Sequence, residues 1–270
     1  MSNPEANRLP VALSIAGFDP SGGAGLVADI KTFTAFGCFA TAAVTSLTFQ
    51  NTVGVFGAVN QSAETVRAQV LPVLEDFRVD SAKTGMLPSR EVIEEVARLF
   101  REAPLPAPVV DPVVRSTSGY DLIDDHALRS LIEQLLPLAR VVTPNIPEAE
   151  RITGLRIRDE QGMREAARLM REMGARCVLV KGGHLEGDAL DLLDDGGRVQ
   201  IFRAERIETT STHGTGCTLA AAITAGLGHG RSLESSVAAA KRFVTNAIRR
   251  APGLGHGHGP INNAEVRGAE

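Results

Sequence analysis

Short apolar runs recur along this chain, and most are closed by a glycine, a proline or a small polar residue before a stretch of helical period begins. Residues 11–16, 41–47, 53–59, 79–83, 109–112, 140–143, 177–181, 189–193 and 199–203 have the length and β-compatible content of strands. Between them, Val92, Ile93, Val96, Leu99 and Phe100 recur at helical spacing. So do Leu128, Leu131, Ile132, Leu135 and Leu136, and then Met163, Ala166, Ala167, Met170 and Met173. This alternation predicts an α/β fold: one domain over residues 1–270, with a largely parallel sheet and helices on both faces. Polar residues at the strand tips then gather along one sheet edge. Residues 1–9 read as a flexible tail. A helix over 63–76 contains Pro72, which is expected to end it early.

The chemistry is expected in residues 211–226, Ser-Thr-His-Gly-Thr-Gly-Cys-Thr-Leu-Ala-Ala-Ala-Ile-Thr-Ala-Gly. A Gly-rich turn passes directly into an uncharged, Ala-rich run, which reads as a buried helix. The first amides of a helix have no partner within it, and the helix dipole adds positive character there. With Gly214, Thr215 and Gly216 in the turn, an anion can approach the backbone closely. Cys217 falls in the first turn, where a thiolate is expected to be stabilised. Taken alone, the stretch is equally a turn capping a core helix, with Cys217 a small apolar residue.

Composition narrows the field. Charged residues make up 22% and the net charge is -4, so no basic excess attracts nucleic acid or an anionic membrane. Aromatics are 4% with no Trp, which weakens any base-stacking platform. Cys38, Cys177 and Cys217 are far apart and form no Cys-x-x-Cys pair, as suits reduced thiols in a cytoplasmic protein. No apolar run reaches the length of a membrane span, and the first ten residues lack the apolar core of a signal peptide.

Other candidates sit at predicted strand tips. Gly17-Phe-Asp-Pro-Ser-Gly-Gly-Ala-Gly25 lacks the Lys-Ser/Thr of a P-loop and the spacing of a dinucleotide fingerprint. It remains a strand–helix connection suited to close approach of a small ligand. Asp29 and Lys31 follow on a helix, where each reads alone as a solvated charge. Gln50 carries a planar amide that can both donate and accept toward a heteroaromatic edge. Met86 could wall a flat ligand, although a Met is more often core. Asp111 ends a strand with a carboxylate able to hold Mg²⁺ through water. Asn145 and Glu148 open a helix; Glu148 alone reads as a first-turn acid favoured by the dipole. Lys181 could meet a phosphate as a point charge. Lys241 lies on the last long helix. His256 and His258 sit in a tail read as too mobile for a metal site.

Taken together, these segments resemble the bacterial hydroxymethylpyrimidine/phosphomethylpyrimidine kinases. The resemblance rests on Ala16-Gly-Phe-Asp-Pro-Ser-Gly-Gly-Ala-Gly-Leu-Val-Ala-Asp-Ile-Lys-Thr-Phe33, Thr45-Ser-Leu-Thr-Phe-Gln-Asn51, Lys83-Thr-Gly-Met86, Thr143-Pro-Asn-Ile-Pro-Glu-Ala149, Val180-Lys-Gly-Gly-His184, His213-Gly-Thr-Gly-Cys217 and Gly255-His-Gly-His-Gly-Pro260. It implies a ribokinase-like three-layer α/β/α sandwich, ATP and Mg²⁺ as cofactors, and a homodimer. It implies two phosphorylations of 4-amino-5-hydroxymethyl-2-methylpyrimidine in thiamine biosynthesis. Carried over, Gln50 would read the aminopyrimidine edge, with Ala24, Asp29 and Met86 lining that pocket. Asp111 and Glu148 would manage the metal, Asn145, Lys181 and Lys241 the nucleotide. Gly214, Thr215 and Gly216 would form the anion hole beside Cys217 as base. Phe49 stands where relatives often carry a smaller residue, which puts the fine shape of the pocket in question.

Three rival readings stay open on sequence alone. One is a pyridoxal or pyridoxine kinase on the same scaffold. Another is a thiol hydrolase using Cys217 with His184 or His213, although His213 has no evident orienting partner. The third is a pyrimidine-binding sensor without catalysis.

Overall fold

The computed structural model describes residues 8–114, 122–183, 185 and 187–264. One sheet of nine strands runs through it: β1 (Val11–Phe18), β2 (Phe39–Gln50), β3 (Val55–Asn60), β4 (Ser81–Thr84), β5 (Val109–Val110), β6 (Val141–Val142), β7 (Val178–Lys181), β8 (Ala189–Asp194) and β9 (Val199–Ala204). Their order is β3-β2-β1-β4-β5-β6-β7-β8-β9. The six strands from β2 to β7 are parallel, and antiparallel pairs close both ends. The expected mostly parallel sheet is therefore present, and the two turn-rich hairpins at its ends are the exceptions.

Eight α-helices among the described residues cover the faces: α1 (Gly25–Ala35), α2 (Ala63–Asp76), α3 (Arg90–Glu102), α4 (Asp125–Ser130), α5 (Ile146–Thr153), α6 (Glu160–Glu172), α7 (Thr215–Gly228) and α8 (Leu233–Arg249). Most start where the sequence offers a cap. Ser62, Ser89, Asp124, Asn145, Asp159 and Ser232 each accept a hydrogen bond from a first-turn amide. Pro72 does not end α2, which continues to Asp76. Each buried Val, Leu or Ile of the central strands contributes roughly 1.5–3 kcal/mol by leaving water. Val109, Val110, Val141 and Val142 are wholly buried, because helices cover β5 and β6 on both sides.

Helix α7 is buried almost all round, from Thr218 to Gly226. It lies against α1, α8 and the central strands. Small residues permit this depth: a Cβ on Gly226 would stand 2.6 Å from Ser236 Oγ. The tail after α8 is packed down, contrary to expectation. Thr52 holds His256 and His258 through their backbone amides, and Ile261 and Asn263 are buried. Of the expected N-terminal tail, residues 1–7 lie outside the described residues, while Arg8 is paired with Asp80.

Chain order reverses between β1 and β4. Strands β2 and β3 are added on one side of β1, and β4 onward on the other. A crevice forms at the carboxyl ends of parallel strands where such a reversal occurs, which is where open α/β sheets take ligands.

Candidate active site

A cavity of about 380 Å³ occupies that crevice. The end of β1 supplies Gly17, Phe18 and Asp19, the end of β2 Thr48 and Gln50, and the end of β4 Gly85 and Met86. Asp111, Asn145 and Lys181 follow from the tips of β5, β6 and β7, with Glu148 from the first turn of α5. The loop Thr212–Cys217 closes the floor. A second cavity of about 500 Å³ adjoins it and is lined by Lys241, Asp191, Arg206 and Thr245. Asn145, Lys181, Thr212, Thr215 and Gly216 line both. The anion loop therefore forms the boundary between two chambers.

Gly214 caps α7 in a left-handed conformation, φ +81°, and has no side chain to satisfy the first-turn amides. A Cβ there would lie 1.8 Å from the carbonyl oxygen of Gly23. A Cβ on Gly216 would stand 3.0 Å from Lys181 Nζ. The ammonium thus sits against the loop, on the side that an anion would occupy.

Lys181 donates to Asp111 Oδ1 at 2.9 Å and lies 4.0 Å from Glu148 Oε2. Burial opposes its charge, but Asp111 and then Glu148 outweigh that and raise its pKa. Burial pushes Glu148 up to about 7, with Lys181 opposing and Asp111 adding to the rise. Glu148 also completes a capping box: its carboxylate accepts from the Asn145 amide at 2.8 Å while the Asn145 side chain accepts from the Glu148 amide. The first-turn and site readings of Glu148 are thus compatible, since the cap holds the carboxylate at the cavity wall. Lys241 donates to Asp191 Oδ2 at 2.7 Å, which ties α8 to β8 beside the second cavity.

Several expectations need correction. Asp29 does not line either cavity. It is neither solvated nor a pocket wall, but wholly buried beneath the site, paired with Lys83 at 2.8 Å and Ser14 at 2.6 Å. Lys83 itself lines the first cavity, a role its sequence position does not mark, because a Lys after Val-Asp-Ser-Ala reads as the polar end of a strand. The Cys217 thiol is pushed up to about 12, first by burial and then by Asp111; Lys83 and the Gly25 amide draw it partway back. This packing therefore holds Cys217 as a thiol, not the stabilised thiolate expected of a helix start. His213 has an orienting partner after all: its Nε2 lies 2.8 Å from Asp19 Oδ2. His184 lies outside the described residues. Phe49 does not line the cavity and is more than half exposed, so its size leaves the pocket shape alone.

Gln50, Ala24 and Met86 line the first cavity, as do Gly214, Thr215, Gly216 and Cys217. Asp111, Asn145, Glu148 and Lys181 join them there, and Lys241 is in the second cavity. Asp19, Lys83 and Thr212 complete the site without having been singled out.

The phosphomethylpyrimidine kinase family model matches residues 19–262. The chain belongs to the phosphomethylpyrimidine kinase family. It is 46% identical to a hydroxymethylpyrimidine/phosphomethylpyrimidine kinase of Streptomyces coelicolor, over 96% of each chain. It is 49% identical to a thiamine biosynthesis bifunctional protein of Geobacter sulfurreducens, covering 93% of this chain but only 51% of that longer protein. An ADP complex of Bacillus subtilis pyridoxal kinase superposes with a TM-score of 0.89 at 36% identity, covering 95% of this chain and 98% of that one. The ribokinase-like α/β/α architecture expected of this kinase family is the one observed. No helix among the described residues is long and apolar enough to cross a membrane.

Proposed function

We propose that this kinase transfers the γ-phosphoryl group of ATP to the hydroxymethyl group of 4-amino-5-hydroxymethyl-2-methylpyrimidine, and then a second phosphoryl group to the monophosphate. The observation that carries the reading is the shared boundary of the two chambers, where Lys181, Thr215 and Gly216 face both. The pyrimidine fits the chamber of Gln50, Ala24 and Met86, and the nucleotide fits the chamber of Lys241. The migrating group then crosses at the anion loop. Phosphoryl transfer passes through a loose transition state, so positioning and charge neutralisation dominate. The first turn of α7, which no side chain caps, and the Lys181 ammonium supply both.

Asp111 and Glu148 suit Mg²⁺ carried largely by water and phosphate oxygens, since two carboxylates bracket one lysine and leave net negative charge on the cavity wall. When bound, the ion neutralises charge on the nucleotide phosphates. In the first step the hydroxymethyl oxygen attacks phosphorus and ADP leaves. The hydroxyl proton passes to the minor thiolate fraction of Cys217, since Lys83 and the Gly25 amide offset burial and Asp111 only in part. In the second step the acceptor is already a phosphate anion. Cys217→Ala is therefore expected to slow the first step at least tenfold more than the second, within the range of about 10²–10⁴ for general-base catalysis. Rapid-quench assays of both steps measure this, and equal losses would leave Cys217 a structural member of the loop.

The likeness to pyridoxal kinase favours one second reading, activity on pyridoxal. Turnover of both substrates with Mg²⁺ and ATP decides between them. A preference for pyridoxal of about tenfold in kcat/KM, some 1.4 kcal/mol of transition-state binding, would reverse the assignment.

The protein is further proposed to be a cytoplasmic homodimer. Phe49, Val53, Phe56 and Val59 are each more than half exposed on the β2–β3 hairpin, which forms an open edge of the sheet. Apolar edges of this kind are ordinarily covered. Sedimentation of the parent as a dimer and of Phe56→Asp as a monomer is expected; a monomeric parent would sink the proposal.

A further inference from the structure

Asp19 and His213 come from opposite ends of the chain and meet at the floor of the first cavity. The Asp19 carboxylate is 1% exposed and saturated with donors. Its Oδ1 accepts from the Ser21 amide at 2.8 Å and the Ser21 hydroxyl at 2.7 Å. Its Oδ2 accepts from the Gly23 amide at 3.2 Å, the Ala24 amide at 2.8 Å and His213 Nε2 at 2.8 Å. A carboxylate only accepts, so Nε2 carries the proton. Four of these bonds shape the loop that carries Ala24. Only the fifth reaches across to the anion loop.

The two loops also pack closely against each other. A Cβ on Gly23 would meet His213 Cδ2 at 2.4 Å, and a Cβ on Gly214 would meet Gly23 oxygen at 1.8 Å. On its other side the His213 amide donates to Gly259 oxygen at 3.1 Å. His213 is thus held by Asp19 in front and by the packed tail behind, one residue before the glycine that aims the amides of α7.

We propose that the Asp19–His213 hydrogen bond is a positioning latch, which joins the pyrimidine-side loop to the anion loop and holds the first amides of α7 in register for phosphoryl transfer. Neither residue needs to touch the phosphate. They act through Gly214, because amides preorganised toward a developing charge stabilise it without reorganising at the moment of reaction. Burial works against the Asp19 charge, yet the His213 and Ser21 bonds prevail and hold its pKa below the usual carboxylate range. The latch is therefore charged at neutral pH, where charge-assisted bonds are the strong kind.

The proposal rests on the kinase reading of this site, and its test separates the two. Full-length His213→Phe keeps a ring but loses the donor. His213→Gln keeps an N–H donor at similar reach. Asp19→Asn keeps the shape but turns one oxygen into a donor. Steady-state kinetics with ATP and the pyrimidine, and melting curves, are measured for each. His213→Phe and Asp19→Asn are each expected to lower kcat about 10–50-fold on both phosphorylations, below the loss of a direct oxyanion donor, with KM for ATP changed less than about threefold. His213→Gln should recover most of kcat. The double variant should be no slower than the slower single, because the Asp19–His213 bond can be lost only once. Full kcat in a folded His213→Phe, or additive losses in the double variant, would overturn the latch. A KM increase with kcat preserved would do the same. An inactive parent would instead take down the kinase reading, and the latch with it.

Discussion

Gly214→Ala lowers kcat for both phosphorylations by about 10²–10³-fold, the cost of misplacing an oxyanion donor. The added methyl group would stand 1.8 Å from the Gly23 carbonyl oxygen, a backbone atom that cannot rotate aside. Either the anion loop or the Ala24 loop must move by more than an ångström, which breaks the register between the amides of α7 and the pyrimidine-side loop. Left-handed strain alone does not explain such a loss, and Gly230→Ala is the control. Gly230 is also left-handed, φ +73°, but a Cβ there meets nothing within 4 Å. It should cost about 1–2 kcal/mol of stability with kcat unchanged. Comparing kcat and melting temperature for the two variants checks the argument. A Gly214→Ala enzyme within threefold of the parent would refute the anion-hole role of this loop.

Lys83→Met should be the most destabilising single change in the site. Lys83 and Asp29 are both 0% exposed, joined by two contacts of 3.0 and 2.8 Å. Burial opposes charge on both partners, and the pair is tolerated because each neutralises the other. Removing the ammonium strands a carboxylate in the core, with Ser14 its remaining partner. The expected loss is about 3–5 kcal/mol, the usual cost of breaking a buried pair. At roughly 2–4 °C per kcal/mol for a chain of this size, the melting temperature falls by roughly 6–20 °C. Adding Asp29→Asn removes the stranded charge while keeping an acceptor for Ser14, and should restore about half of the loss. Calorimetry of parent, single and double variants measures both effects. A single variant within 1 °C of the parent would mean that the pair contributes nothing.

The strands and helices were legible because their signals are local. Short apolar runs and stripes of period 3.6 each span a few positions, and those of Val92–Phe100 and Met163–Met170 stand where α3 and α6 form. Pro72 misled because α2 lies on the surface of the sheet and tolerates the missing hydrogen bond. Gln50, Asp111, Asn145 and Lys181 were legible by position, as polar groups at the carboxyl ends of parallel strands that one crevice collects. The protonation of Cys217 was not. It depends on how deeply α7 is buried and on Asp111 approaching from a distant strand.

By itself the order of residues determined the alternating elements, the glycine turn ahead of an uncharged helix, and the polar strand tips that match this family. Only the tertiary structure decided which charges work in pairs. Asp29 meets Lys83 across 54 positions and Asp19 meets His213 across 194. No local pattern encodes such encounters, because the partner of a buried charge is chosen by sheet order and packing. The same packing turned an expected pocket wall into a foundation and an expected thiolate into a thiol.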